Sequence, residues 1–258
     1  MTDQHLRAQG TPVWVDLASP EPVEAAFFYC GLFGWDALDL GPDADGHKMF
    51  SLNGKRVAAV GFSQERQPPA WSLYLATKDA DAAARSVVAA GGTVVAPPVD
   101  VLDQGRMAIL RDPSGAVFSV WQPTRMNGAE LMGEPGSYTW AELNTRDLTS
   151  AEGFYCRVFG WGVRRGPSSA GGAAFTEWQV GERSFGGCID MSGMPVPAEI
   201  PPFWLVYFGV LDVDAAAAKV AELGGRVETG PSDFRGGRLA VVSDTHQAVF
   251  GLLERERP

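Results

Sequence analysis

The chain has 258 residues, 45% of them hydrophobic and 20% charged, with a formal net charge of -10 and a pI near 4.8. That length admits two ordinary domains with a core each, and no apolar run approaches the roughly 18 residues needed to span a bilayer. The acid excess, with no local Lys/Arg cluster to relieve it, excludes nucleic acid as an expected partner, and no membrane partner is expected.

Residues 1–10 carry no apolar periodicity and read as a loose tail. They lack a basic start followed by an apolar stretch, which makes the cytoplasm the expected location. Val13 to Ala18 alternates, with Val13, Val15 and Leu17 on one face and Trp14, Asp16 and Ala18 on the other, as in a half-buried strand. A helix follows, with Ser19 as the expected N-cap and Pro20 in its first turn. Ala25, Phe28, Tyr29 and Leu32 fall at helical spacing, and Gly34 ends it. Strands at Lys48 to Leu52 and Arg56 to Phe62 flank Asn53-Gly54, a tight-hairpin signal.

A second unit of the same order follows: strand Trp71 to Ala76, helix Ala80 to Ala90 closed by Gly91-Gly92, then strands Thr93 to Ala96, Arg106 to Leu110 and Ala116 to Trp121. The turn Asp112-Pro113-Ser114-Gly115 separates the last two. Residues 124–137 read as a linker.

Beyond it the pattern returns. Phe28-Tyr29-Cys30-Gly31-Leu32-Phe33-Gly34-Trp35 reappears as Phe154-Tyr155-Cys156-Arg157-Val158-Phe159-Gly160-Trp161, and Trp14 and Leu17 reappear as Trp140 and Leu143. Trp71, Gly91-Gly92 and Asp112 find counterparts in Trp204, Gly224-Gly225 and Asp244, and a second hairpin flanks Gly181-Glu182 between Ala174 to Val180 and Ser184 to Asp190. The expected domains are therefore residues 11–123 and 138–254. Phe28, Phe33, Trp35 and their repeat partners are expected in the core. The cysteines, Cys30, Cys156 and Cys188, are odd in number and suit reduced thiols.

In this order, twice over, the first strand, the Phe-Tyr…Phe-Gly-Trp helix end, the Gly-Gly helix stop and the Asp-Pro-Ser-Gly turn resemble the vicinal oxygen chelate superfamily of glyoxalases, bleomycin-resistance proteins and dioxygenases. The chain is similar to its tandem members labelled glyoxalase-like or hydroxylase. The resemblance implies an α+β fold of tandem domains, each of two βαβββ modules forming an open, cup-shaped mixed sheet with helices outside. It also implies a divalent ion in each cup, held by His, Glu or Gln. Yet the positions that match those ligands carry Trp14, Ser72 and Ser119 in one half and Trp140, Leu205 and Gly251 in the other. The remaining position falls near Ala59 and near Gly186 to Cys188, of which only Cys188 offers a donor. The histidines, His5, His47 and His246, do not converge by spacing. No metal and no cofactor are expected.

The side chains in phase with those positions are the expected cavity lining: Trp14, Asp16, Ser72, Tyr74, Ser119 and Trp121 in one half, Trp140, Glu142, Asn144 and Tyr207 in the other, with Tyr138 in the same phase. An aromatic floor with few polar groups suits a small molecule. Asp16 and Glu142 are the candidate catalytic groups, since a carboxylate held against an indole has its charged form disfavoured and serves as an acid or base near neutral pH. The leading expectation is metal-independent binding or sequestration of a small apolar or aromatic molecule. The alternative is a glyoxalase-like enzyme of secondary or aldehyde metabolism using a cavity carboxylate. A monomer is the expected state, the tandem fusion replacing the pairing of single-domain relatives, with a homodimer as the alternative.

Overall fold

A computed structural model describes residues 8–41, 44, 46–63, 67–166, 175–194, 196–234 and 236–255. Most of the expected tail, His5 and Ala174 lie outside them. Four βαβββ modules follow one another. The first is β1 (Pro12–Ser19), α1 (Pro22–Phe33), β2 (Asp36–Asp39), β3 (Lys48–Leu52) and β4 (Lys55–Phe62). The second is β5 (Ala70–Ala76), α2 (Ala80–Ala89), β6 (Thr93–Val101), β7 (Gly105–Arg111) and β8 (Val117–Pro123). The third is β9 (Tyr138–Thr145), α3 (Leu148–Phe159), β10 (Gly162–Arg165), β11 (Phe175–Val180) and β12 (Arg183–Asp190). The fourth is β13 (Phe203–Gly209), α4 (Val213–Glu222), β14 (Arg226–Phe234), β15 (Gly237–Ser243) and β16 (Val249–Arg255).

The strands form two open eight-stranded mixed sheets, ordered β2-β3-β4-β1-β5-β8-β7-β6 and β10-β11-β12-β9-β13-β16-β15-β14. Helix boundaries have local causes. Asp79, Asp147 and Asp212 cap α2, α3 and α4 by accepting the backbone N–H of Ala82, Ser150 and Ala215 at 2.8–2.9 Å. For α1 the structure corrects the expected cap. Glu21, which makes no side-chain cap, precedes the helix, Pro22 rather than Pro20 takes the first turn, and Ser19 Oγ accepts only the Glu21 N–H. The Asn53-Gly54 turn holds both residues at positive φ, as a two-residue hairpin requires.

By compactness the chain divides into two units, each drawing on both sequence halves. One comprises Met1–Trp14, Leu73–Gly128 and Ala141–Trp204; the other Val15–Ser72, Ala129–Trp140 and Leu205–Pro258. In the first, α2 packs on α3; in the second, α1 packs on α4. The repeated motifs meet inside these units. In the second unit Trp71 Nε1 donates to Tyr29 Oη at 2.9 Å, and Tyr29 donates to Asp244 at 3.1 Å. In the first unit Trp204 donates to Tyr155 and Tyr155 to Asp112 at the same distances. The carboxylate of Asp112 also accepts the N–H groups of Ser114, Gly115 and Ala116, so one buried side chain ties the β7–β8 turn to α3. Phe28, Trp35, Phe154, Phe159 and Trp161 are buried as expected, whereas Phe33 is part-exposed. No helix among the described residues is long and apolar enough to cross a membrane.

Candidate functional site

Strand register decides which side chains share a face, because neighbours directly opposite project the same way. In the second unit β1 runs parallel to β4 with Asp16 opposite Ala59 and Ala18 opposite Gly61. In the first unit Tyr74 lies opposite Ser119 and Ala76 opposite Trp121, while Glu142 lies opposite Gly187 and Asn144 opposite Ile189. Tyr207 faces Gly251 in the second unit. Register thus puts Tyr74 and Ser119 side by side on one face within the first unit, while Asp16 belongs to the second. Cys188 does not share the face of Glu142: it pairs with Leu143 on the alternate face, fully buried, and burial pushes its thiol well above the ordinary range. The one side chain in residues 186–188 able to ligate is turned into the core by the period of two.

Within the first unit Tyr74 Oη reaches Met107 Sδ at 3.8 Å, and the Tyr74 and Trp121 rings meet edge to face with centroids 6.4 Å apart. Trp121 Nε1 donates to Met126 O at 2.7 Å, which fixes the indole. The ring borders a cavity of about 250 Å³, lined with Val13, Ala76, Thr77, Lys78 and Gln122 among others. Trp14 is 4% exposed and Ser119 only 1%. Within the second unit the Arg255 guanidinium stacks over Trp140, 5.3 Å from the ring centroid. Tyr138 Oη is buried with no hydrogen-bond partner. Burial raises its phenol far above the usual range, although Arg255 pulls it down.

Asp16 is the most perturbed carboxylate. Its Oδ1 is buried without a hydrogen-bond partner, and desolvation raises its pKa from 3.8 to about 6, against the pull of the nearby His47 imidazole and a backbone hydrogen bond from Leu17. His47 is the residue that spacing did not reveal. Its Nδ1 donates to Ala44 O at 2.7 Å, and its ring lies on the bare surface of Gly61, where a Cβ would come within 2.1 Å of Nε2. A bulge between Phe50 and Ser51 puts Met49, rather than Lys48, opposite Ala59, and His47 two residues earlier shares that face. Counting back from Asn53-Gly54 without the bulge puts His47 on the other face, so the sequence carried no usable signal.

The family's divalent ion does not fit these residues. Trp14 and Trp140 offer no lone pair, and Ala59, Leu205, Gly187 and Gly251 offer no side-chain donor. At Gly251 a Cβ would lie 2.0 Å from the Tyr207 ring, and at Gly187 a Cβ would lie 2.7 Å from the Phe175 ring, so aromatic carbon occupies the space a ligand would cross. Among the described residues no group of three or more His, Cys, Asp or Glu is placed to hold a metal.

Fold and sequence together define the class: the chain belongs to the glyoxalase/bleomycin resistance protein/dioxygenase superfamily, whose model matches residues 126–251, while a glyoxalase-like domain model matches residues 13–121. It is 40% identical to the anthracycline biosynthesis protein DauV of Streptomyces sp. (strain C5), over 96% of this chain and 94% of that one. It is also 40% identical to the Mycobacterium tuberculosis protein named "Putative glyoxylase CFP32", over 95% of each. Among solved structures the 2,3-dioxygenase LapB from Pseudomonas sp. KL28 superimposes with a TM-score of 0.67 at 14% identity, covering 98% of this chain and 95% of that one. That likeness concerns the fold.

Proposed function

We propose that the protein is an enzyme of secondary metabolism that moves a proton on a small aromatic or conjugated carbonyl compound, with Asp16 as its base and without the metal of its family. One observation carries this reading: the buried Oδ1 of Asp16 has no partner, and burial raises its carboxyl from 3.8 to about 6. A structural carboxylate has its lone pairs satisfied, whereas a general base keeps one for substrate and holds its pKa near the working pH. The names of the 40%-identical relatives, which refer to anthracycline biosynthesis and to glyoxylase, support an enzyme acting on carbonyl compounds. Proton transfer within one substrate needs no oxidant, which suits a site whose donor set fits no metal. Glu142 is the corresponding candidate in the other sheet; Ser72 is proposed as a substrate contact in the unit that holds Asp16, and Trp14, Tyr74, Ser119 and Trp121 as ligand contacts within the other unit. The small molecule is the proposed partner, the monomer the proposed state and the cytoplasm the proposed location.

The test is deuterium wash-in. A panel of aromatic ketones and hemithioacetals of α-ketoaldehydes is incubated with protein in heavy water and read by proton NMR. Loss of the signal next to a carbonyl, abolished in Asp16→Asn and unaffected by chelator, is the expected result. Loss that persists in Asp16→Asn, or that stops with chelator, overturns it. Sequestration is the second reading, favoured by the rings over Gly187 and Gly251. It predicts saturable tryptophan quenching by compounds that exchange no proton and keep their mass.

A further inference from the structure

We propose that Tyr138, Trp140 and Arg255 form a second ligand site, within the second unit, which takes a small aromatic carboxylate that carries a further acceptor oxygen. The site does not depend on the proton-transfer reading at Asp16.

Alternation along β9 puts Tyr138 and Trp140 on one face, and register puts Gly251 and Arg255 of β16 on one face with Tyr207 of β13. These are the same face, because the Arg255 guanidinium lies over the Trp140 ring, 5.3 Å from its centroid. Burial is graded along it: Tyr138 is buried, Trp140 half-buried and Arg255 exposed.

Two groups here lack what a purely structural role would give them. Tyr138 Oη is buried with no hydrogen-bond partner, an unfavourable state that a ligand relieves. Burial keeps the phenol protonated, so the partner it calls for is an acceptor. Arg106 and Arg238 each hold two carboxylates, whereas among the described residues the contacts of Arg255 are the Trp140 ring and the Thr139 carbonyl, the latter at 3.5 Å. A guanidinium over an indole still presents its N–H fork, in its own plane, to a carboxylate.

The internal repeat serves as a control. β1 and β8 have the lengths of β9 and β16, and in the alignment that matches Trp14 with Trp140 and Phe118 with Phe250 they carry Pro12 and Pro123 at the places of Tyr138 and Arg255. The first sheet therefore forms with the indole alone, without the hydroxyl or the cation. What the second sheet adds is a buried donor and an exposed positive charge on either side of an aromatic surface. A ligand that uses all three places a neutral oxygen on Tyr138, its ring against Trp140 and Tyr207, and its carboxylate at the exposed end with Arg255, where the desolvation of a charge costs least.

The experiment titrates the full chain by calorimetry in wild-type, Tyr138→Phe and Arg255→Met forms. The probes are 4-acetylbenzoate, which has both groups, 4-ethylbenzoate, which lacks the neutral oxygen, and 4-methylacetophenone, which lacks the charge. Wild type is expected to bind 4-acetylbenzoate saturably. Arg255→Met is expected to weaken that binding about 10-fold and to leave 4-methylacetophenone unaffected. Tyr138→Phe is expected to weaken 4-acetylbenzoate to a similar degree and to leave 4-ethylbenzoate unaffected. Absence of saturable binding to wild type overturns the site, as do variants that bind 4-acetylbenzoate like wild type or that weaken every probe alike. Urea unfolding supplies a measurement that needs no probe. The Tyr138→Phe midpoint is expected to equal or exceed that of wild type, because the hydroxyl it removes has no partner in the free protein. A lower midpoint would show that the hydroxyl is already bonded within the protein and would overturn its role as ligand donor.

Discussion

A carboxyl whose pKa is higher folded than unfolded makes stability depend on pH with a definite sign. Asp16 moves from 3.8 to about 6 on folding, so between those values the native state binds more protons than the unfolded one. Stability from the protonated form is complete below about 4 and is lost as pH rises through 6. Asp16→Asn removes this dependence. Its stability relative to wild type is expected to grow across that window by on the order of 2 kcal/mol, read from urea midpoints at pH 4 and pH 7. A gap that stays constant across the window rules out the raised pKa. Gly251→Ala tests close packing at the same scale. The Tyr207 ring lies where a Cβ must go, and the backbone of β16 has no freedom to retreat, so a loss of about 1–3 kcal/mol is expected in urea unfolding. Alternation along β1 was enough to single out Asp16 and Trp14 in the sequence. The seat of His47 was not legible, because it depends on a bulge and on one bare glycine in a strand that the sequence does not align with it. Which of residues 186–188 shares the face of Glu142 was left open for a related reason, since one step of register separates Gly187 beside Glu142 from Cys188 beside Leu143.

Elements buried on one face and bounded by turn chemistry were read from the sequence to within a few residues, because hydrophobic period and turn residues are local properties. The exceptions are edge strands. β2, with Asp36, Ala37, Leu38 and Asp39 all exposed, has no buried face and so no alternation to read, and β10 is nearly as open. β6 runs on to Val101 rather than ending at Ala96, because its Pro97-Pro98 lies on a sheet edge, where a missing N–H is tolerated and the register shifts. Between elements, the Asp112 side chain is a strong single tie, at 3% exposure and accepting five hydrogen bonds, four from the turn and one from Tyr155. Asp112→Ala leaves the Ser114 and Ala116 N–H groups and the Ser114 and Tyr155 hydroxyls short of an acceptor, the Gly115 N–H keeping the Asp112 carbonyl. A destabilisation of about 3 kcal/mol or more is expected, and Tyr155→Phe alone about 1 kcal/mol. A double-mutant cycle on the two should show coupling of about 0.5 kcal/mol or more. Additive costs would mean that the hydroxyl contact contributes nothing.

At the scale of the whole molecule, the repeat and the compact units do not coincide, and this governs what half of the chain can do. Tyr29 and Trp71 come from the first half of the sequence, but their carboxylate, Asp244, comes from the second. Phe28 packs edge to face on Phe250 with centroids 6.4 Å apart, and Phe33 meets Phe208 at 5.1 Å, so the outer surface of α1 is completed by residues far along the chain. Residues 1–128 made alone would expose that apolar surface and leave Tyr29 without its acceptor, a large cost for a small domain. The same fragment carries Asp112, the repeat equivalent of Asp244 and held by the same kind of turn. A second copy therefore offers Tyr29 the carboxylate that the missing half would supply, and the helix faces match by the internal symmetry of the repeat. The fragment is expected to form a homodimer of twice its mass by light scattering, and Asp112→Ala is expected to dissociate or unfold it, because each copy lends its Asp112 to the other. Mixing the fragment with residues 129–258 should instead give a one-to-one complex with the full chain's unfolding midpoint. A fragment that remains a monomer and unfolds cooperatively would show that each half folds independently and that the ties from Tyr29 to Asp244 and from Tyr155 to Asp112 are dispensable.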